Sequence, residues 1–261
     1  MVTVSIGRAW EETKAFVARD KRLLVPLALG LIVLPTAVVG LVAPGAQLGG
    51  QEKDLTGAVL TLVDALIGLI AQLTVIRLAL GFSGSLGDAI RLAVGRLWIL
   101  LAAMAILVLP FVLLSVTVGG VVDPKGGAVA SGVKGVAAVF LLVTTGVFIW
   151  LAVRVLLVSV VTMAEEHGPV ALLKRSFAIT RGHFWRLLAF VLLMLAAFLA
   201  LIVAVGVVGA ALVTALFGAP DPMTIGALIV GLLSGLVQAG VAVVYVAMIS
   251  RIYAQLAAAQ A

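Results

Sequence analysis

The sequence contains no cysteine and only two histidines, His167 and His183. Without cysteine the chain has no disulfide framework, no thiol nucleophile and no metal site built from thiolates. Charged residues make up only 11% of the 261 positions, whereas a soluble domain averages about a quarter. These shortages exclude a soluble enzyme, a nucleic-acid-binding domain and a disordered chain. They also lead us to predict no catalytic residue, no metal and no cofactor.

Apolar residues dominate instead, because 64% of the chain is hydrophobic and the mean hydropathy is +1.33. A soluble fold of this size has too little interior to bury so much apolar surface. A membrane-spanning helix needs about 20 mostly apolar residues, and the apolar segments of this chain cover residues 23–43, 57–80, 97–118, 135–163, 184–217 and 224–255. The sequence therefore predicts an all-α integral membrane protein with six transmembrane helices in a single domain, residues 1–261.

The basic residues fall on alternate connectors between these segments. Of the 17 Lys and Arg residues, only Lys53, Lys125 and Lys134 belong to the connectors that follow the first, third and fifth segments. Because connectors rich in Lys and Arg stay in the cytoplasm, we expect a bacterial inner-membrane protein with both termini cytoplasmic. We expect the first span to be uncleaved; a signal peptide ending near VAPGA at 42–46 is the alternative.

An amphipathic segment precedes each pair of spans, at 5–20, 85–98 and 168–185. The first two align at a shift of 80 residues, with Ser5 on Ser85, Gly7 on Gly87 and Ala9 on Ala89. We therefore predict three repeats of an interfacial helix plus a two-span hairpin. Their approximate limits are 1–82, 83–165 and 166–261. The alternative is that the amphipathic helices simply cap the bundle.

The stretch from 151 to 190 combines an arginine within a span, an acidic pair and the run ALLKRSFAITRGHFWR. The matching residues are Arg154, Glu165, Ala171, Leu172, Ser176, Phe177, Ile179, Thr180, Arg181, Gly182, Phe184, Trp185 and Arg186. This pattern resembles the membrane domain of glycerophosphoryl diester phosphodiesterase-type proteins, a group of bacterial multi-pass proteins. The resemblance implies a membrane domain alone, because the chain has no soluble catalytic domain and no metal-binding set for a phosphodiesterase.

Asp64 is the only acidic residue well inside a predicted span. Ionisable groups within a membrane are costly and are often functional. We predict an intramembrane polar site at Asp64, Gln72 and Gln238, with Thr61 as a further candidate, for a proton or a cation. The alternative is a buried carboxyl group that only fixes helix packing.

Basic side chains near the cytoplasmic ends of the spans are the candidates for binding lipid headgroups or other anions. These are Arg77, Arg154, Lys174, Arg175, Arg181 and Arg251. A guanidinium group suits a phosphate because it donates two parallel hydrogen bonds. The alternative is that these arginines extend toward the membrane surface or pair with Glu165 and Glu166.

The leading functional hypothesis is a non-enzymatic inner-membrane protein that interacts with lipids, as a scaffold or in envelope lipid handling. A small-solute or lipid transporter with a polar pathway near Asp64 and Arg154 is one alternative. An intramembrane lipid-modifying enzyme is another, with Glu165, Glu166, His167 and His183 as its only acid–base groups.

The expected partners are membrane lipids, above all anionic phospholipid headgroups, and no nucleic acid. A homo-oligomer or a membrane-protein partner is also compatible with stripes of small residues, which let helices approach closely. These stripes are Gly231, Gly235 and Ala239 on the sixth span and Ala196, Ala200 and Ala204 on the fifth.

Overall fold

The computed structural model describes residues 5–43, 55–82, 84–121, 131–218 and 221–258. Over these ranges the chain is helical with no strand, and six helices are long and apolar enough to cross a membrane. The predicted all-α membrane fold is therefore confirmed. The connector residues Glu52, Lys53, Asp54, Asp123 and Lys125 lie outside the described residues.

We number the α-helices in chain order. They are α1 (Ile6–Ala28), α2 (Leu34–Val42), α3 (Leu55–Ala79), α4 (Leu86–Val121), α5 (Ser131–Val155), α6 (Val158–Ala164), α7 (Pro169–Thr180), α8 (Phe184–Leu201), α9 (Val208–Phe217) and α10 (Ile225–Ala258). A π-helical segment, Leu29–Val33, joins α1 to α2, and a second one, Ile202–Val207, joins α8 to α9. The spans are thus α1–α2, α3, α4, α5–α6, α8–α9 and α10.

The spans run alternately up and down, so their ends form two groups. The backbone N–H of Ser5, before α1, donates to Oε1 of Gln255 near the end of α10 at 3.1 Å. At the opposite end, the N–H of Met223 donates to the carbonyl of Leu41 at 2.8 Å. We call the first group the basic end; it holds the start of α1, the start of α4, α6, α7 and the end of α10.

The three amphipathic segments differ in how they join their spans. Residues 5–20 continue into the first span and residues 85–98 belong to α4 without a break, even though Pro26 and Gly95 lie close to the two junctions. The third segment forms the separate helix α7, with Pro169 in its first turn and Gly182 at φ +86° just after its end. A positive φ suits glycine and ends the helix. The interfacial helix expected before each hairpin is therefore separate only in the third case.

The fourth span is also less regular than predicted. It breaks at Leu156 and Leu157, between α5 and α6. No proline or glycine lies between residues 151 and 164, so the sequence carries none of the usual signals for this interruption. The break separates α5 from the short helix α6, whose last carbonyl groups lie at the basic end.

The closest contact between spans joins the first span to the sixth. A Cβ atom placed on Gly231 would lie 3.0 Å from the carbonyl oxygen of Ala37, and one on Gly235 would lie 3.0 Å from Cα and O of Val33. Only glycine permits such close backbone approach. The stripe of small residues on α10 therefore packs within the molecule. By contrast, Ala196, Ala200 and Ala204 of the fifth span are exposed.

The basic end holds the main core, whereas the fifth span lies at the periphery. Ala9, Phe16, Ala89, Leu172 and Ile252 belong to one buried cluster that joins α1, α4, α7 and α10. In the fifth span, only 6% of the most apolar 18-residue window is buried, against 44% in the fourth. The spans are thus held together by this core at the basic end and by the contact of the first span with the sixth.

We predict that Gly235→Leu disrupts the packing of the first span against the sixth. The new side chain would meet the backbone of Val33, which cannot rotate aside, so we expect a loss of about 2–3 kcal/mol or more. Thermal unfolding of the detergent-solubilised protein, followed by tryptophan fluorescence, measures it. Gly240→Leu is the matched control, since no atom lies within 4 Å of its added Cβ. Equal unfolding midpoints for the two variants would contradict this account of the interface.

Candidate functional site

Three spans line a half-open cavity, which we call the polar cavity, where Gln238 is exposed and Asp64 is half-buried. Asp64 of α3, Gln72 of α3 and Gln238 of α10 all line this cavity of about 260 Å³. The hydroxyl oxygen of Thr36, in α2, lies 3.4 Å from Oδ1 of Asp64 and 3.4 Å from Oε1 of Gln238. The structure therefore brings together the three residues that the sequence proposed as an intramembrane polar site, and Thr36 joins them.

Thr61 does not belong to this group. It is exposed on α3, one turn before Asp64, and it is not among the residues that line the cavity. Thr36 takes the expected role because the first span packs closely on α10 and faces Asp64. Threonine is common within apolar helices, so nothing in the sequence distinguishes Thr36 except the preceding Pro35.

A second, larger cavity adjoins the polar one. It has a volume of about 350 Å³ and lies between α3, α4, α5–α6 and α10. Leu69, Gln72 and Tyr245 line both cavities. The remaining wall is apolar apart from Ser159, and it includes Leu100, Met104, Leu107, Phe148 and Leu156. The bundle thus contains an apolar chamber next to a polar one.

At the basic end, two arginines bind the C-terminus of α6. Nη1 of Arg96 donates to the carbonyls of Thr162 at 2.6 Å and Glu165 at 2.7 Å, and its Nη2 donates to Oε1 of Glu166 at 2.8 Å. Nη1 of Arg77 donates to the carbonyl of Met163 at 3.4 Å. The last carbonyls of a helix have no partners within it and carry partial negative charge. Arg96 and Arg77 supply those partners, so both guanidinium groups hold α6 in place.

Arg154 plays the corresponding part at the end of α7. Its Nη1 donates to the carbonyl of Phe177 at 2.9 Å and to Oγ1 of Thr180 at 3.3 Å. In return, the buried hydroxyl of Ser176 donates to the carbonyl of Arg154 at 2.6 Å. Ser176, Phe177 and Thr180, at the centre of the ALLKRSFAITRGHFWR pattern, therefore bind α7 to Arg154 at the end of α5. This shared contact is a physical reason for their occurrence together.

At the basic end, the acidic residue Glu165 also contacts side chains from neighbouring elements. Oε1 of Glu165 accepts hydrogen bonds from the hydroxyl of Tyr253 at 2.9 Å and from Nε of Arg175 at 3.1 Å. Nδ1 of His167 lies 3.7 Å from Oε2 of the same carboxylate. Glu165 thus connects the region after α6 to α7 and α10. Among the described residues, no group of three or more His, Cys, Asp and Glu side chains is placed to hold a metal ion.

The arginines near the basic ends of the second, fourth and sixth spans share an environment. Arg77 lies over the ring of Phe82 with 4.8 Å from Cζ to the centroid, Arg154 over Trp150 at 5.3 Å, and Arg251 over Phe16 at 5.7 Å. In all three, Nε is buried and has no hydrogen-bond partner in the described part of the chain. These cations face aromatic rings inside the protein. Their similarity agrees with a threefold repeat, which stays a prediction.

The remaining candidates for anion contact are placed differently. Lys174 and Arg181 are exposed, whereas Arg175 is paired with Glu165. Two tryptophans of the same part of the chain are also exposed, Trp185 by 78% and Trp98 by 70%. Exposed tryptophan next to basic residues is typical of the membrane–water interface.

Comparison of the chain with known protein families, characterised proteins and solved structures finds no match. The resemblance to the phosphodiesterase-type membrane domain therefore stays a prediction. The site has to be interpreted from its own geometry.

We predict that Arg96→Met destabilises the basic end. Arg96 has only 15% of its side chain exposed, and its loss leaves the carbonyls of Thr162 and Glu165 without these donors. Hydrogen bonds to charged groups contribute about 1.5–3 kcal/mol each, so the thermal midpoint should fall by several degrees. Arg91→Met, at an exposed position on the same helix, should leave the midpoint within about a degree. A comparable fall in both variants would indicate a general effect of lost charge.

Proposed function

We propose that this chain is a non-enzymatic inner-membrane protein that binds membrane lipid within its helix bundle and takes part in envelope lipid handling. The apolar cavity of about 350 Å³ is the observation that carries the proposal. Ligand sites usually measure about 300–1,000 Å³ and combine an apolar wall with a few polar groups. An acyl chain suits the aliphatic wall, and Gln72, Ser159 and Tyr245 offer hydrogen bonds to the polar part of a lipid.

The exposed cations at the basic end support contact with anionic headgroups. Lys174, Arg181 and Trp185 are all exposed, and a basic surface with tryptophan attracts anionic lipids. The half-buried arginines Arg77, Arg154 and Arg251 are engaged with carbonyls or aromatic rings. We therefore assign headgroup contact to the exposed cations first.

The same charge distribution supports an orientation with the basic end in the cytoplasm of a bacterial cell. Both termini are then cytoplasmic, because the start of α1 meets the end of α10. The exposed stripe of Ala196, Ala200 and Ala204 on the fifth span supports packing against another membrane-embedded helix, from a second copy or from another protein.

A transporter is the second candidate, and the polar cavity favours it. The polar cavity and the apolar cavity share the walls formed by Leu69, Gln72 and Tyr245. A polar group and an apolar chain of one substrate could therefore occupy adjacent spaces. Enzymatic activity has less support, because Glu165 is engaged by Tyr253 and Arg175 rather than facing either cavity.

The orientation predicts a pattern of cysteine labelling in whole cells. The chain has no cysteine, so single substitutions give a clean background. Lys53→Cys should react with a membrane-impermeant maleimide from outside, because it follows the first span. Lys174→Cys should react only after the membrane is permeabilised. Labelling of Lys174→Cys in intact cells, with Lys53→Cys reacting only after permeabilisation, would contradict the proposed orientation.

Lipid binding in the cavity predicts that Ala152→Trp removes bound lipid. Ala152 lines the apolar cavity, and an indole ring there would occupy space meant for an acyl chain. We expect lipid retained by the protein in mild detergent, measured by native mass spectrometry, to fall at least about threefold.

Ala196→Trp is the matched control, since it adds the same ring at an exposed position outside both described cavities. Equal lipid retention by wild type and both variants would contradict cavity binding. In reconstituted vesicles, movement of labelled lipid between leaflets that is lost in Ala152→Trp would favour transport over static binding.

A further inference from the structure

The polar cavity brings oxygen atoms from two other spans close to the hydroxyl of Thr36. The three oxygens are Oγ1 of Thr36 in the first span, Oδ1 of Asp64 in the second and Oε1 of Gln238 in the sixth. Thr36 is 4% exposed and stands between the other two, 3.4 Å from each. An O–H···O hydrogen bond usually measures about 2.5–3.0 Å. The hydroxyl of Thr36 is therefore near both other oxygens, at separations longer than a short hydrogen bond.

From this arrangement we propose that Thr36, Asp64 and Gln238 form a binding site for one monovalent inorganic cation, with Na⁺ as the probe. A hard cation takes oxygen ligands. For ligands at about 2.4 Å and right angles, neighbouring oxygens lie about 3.4 Å apart. Both measured separations equal that value. Mg²⁺, with ligands at about 2.0–2.1 Å, requires oxygens about 2.9 Å apart.

The charge of the residues that line the cavity favours a monovalent cation over a divalent one. Asp64 is the only charged residue that lines the cavity, and neither lysine nor arginine is among its lining residues. One carboxylate neutralises one positive charge, whereas a divalent ion would leave an uncompensated charge within the membrane, which is costly. The amide of Gln72 and the hydroxyl of Tyr245 line the same cavity and offer further oxygens, and the volume of about 260 Å³ leaves room for water.

The backbone of the first span is irregular beside this site. The π-helical segment Leu29–Val33 ends two residues before Pro35, and Ile32 of that segment lines the cavity. Proline has no N–H, so it cannot donate to a carbonyl of the preceding turn. Within a membrane, irregular backbone is tolerated where it faces protein or a water-filled cavity, and π-helical turns often accompany functional sites.

A proton is the rival occupant. A protonated Asp64 can donate to Thr36, whose hydroxyl can donate to Gln238, and this arrangement is also neutral. The two occupants differ in their response to Na⁺ at fixed pH. Neither depends on lipid in the apolar cavity, so this inference does not rest on the proposed function.

The test compares the thermal midpoint of the full-length protein in nanodiscs in NaCl and in N-methylglucamine chloride, at equal ionic strength and at several pH values. A ligand that binds only the folded state raises the midpoint with its concentration. We expect a saturable rise of about 3 °C or more in Na⁺ at alkaline pH. The rise should vanish in Asp64→Asn and shrink in Thr36→Val.

The controls are matched in chemistry. Asp221→Asn, at an exposed residue near the opposite end, and Thr61→Val, at the exposed threonine one turn before Asp64, should keep the response to Na⁺. Binding of radioactive sodium to the wild-type protein gives a readout that does not require any variant to fold. Midpoints that respond to pH alone, no retained sodium, or an unchanged response in Asp64→Asn would each overturn the cation site.

Discussion

The close approach of the first and sixth spans is the constraint on which the rest of the membrane-embedded structure depends. Gly231 and Gly235 bring the backbone of α10 against Ala37 and Val33, and this contact sets how the two helices align. Thr36 then faces Gln238, less than one turn beyond Gly235. A side chain larger than hydrogen at either glycine would separate the helices and with them the oxygens around Asp64.

The basic end depends on a different kind of interaction. Short helices leave a large share of their backbone carbonyls without partners, and α6 has only seven residues. Arg96 and Arg77 reach its last turn, while Arg154 reaches the last turn of α7. The basic residues that indicate which side of the membrane this end occupies are thus partly structural. Those that face outward, such as Lys174 and Arg181, are the ones left for lipid headgroups.

The two regions lie at different levels of the bundle, with the main core at the basic end and the glycine contact nearer the opposite end. The core cluster at the basic end fixes the spans relative to one another, whereas the cavities lie further along them. The core at the basic end and the contact of the first span with the sixth together hold the spans around these cavities. Several residues serve both regions, because Leu100 and Val246 belong to the buried core and also line the cavities.

The sequence alone determined the all-α class and the six spans. Backbone N–H and C=O groups within lipid must pair inside the protein, which a helix achieves, and long apolar runs show where such helices lie. It also identified Asp64, Gln72 and Gln238, since polar side chains within such runs are conspicuous. It missed Thr36, Tyr245 and Arg96, which look ordinary in their local sequence. It also missed the break at Leu156, and it predicted separate amphipathic helices where two are continuous. Those features were decided by tertiary structure, because distances between helices 28 and 202 residues apart in the chain follow from packing that no local pattern records.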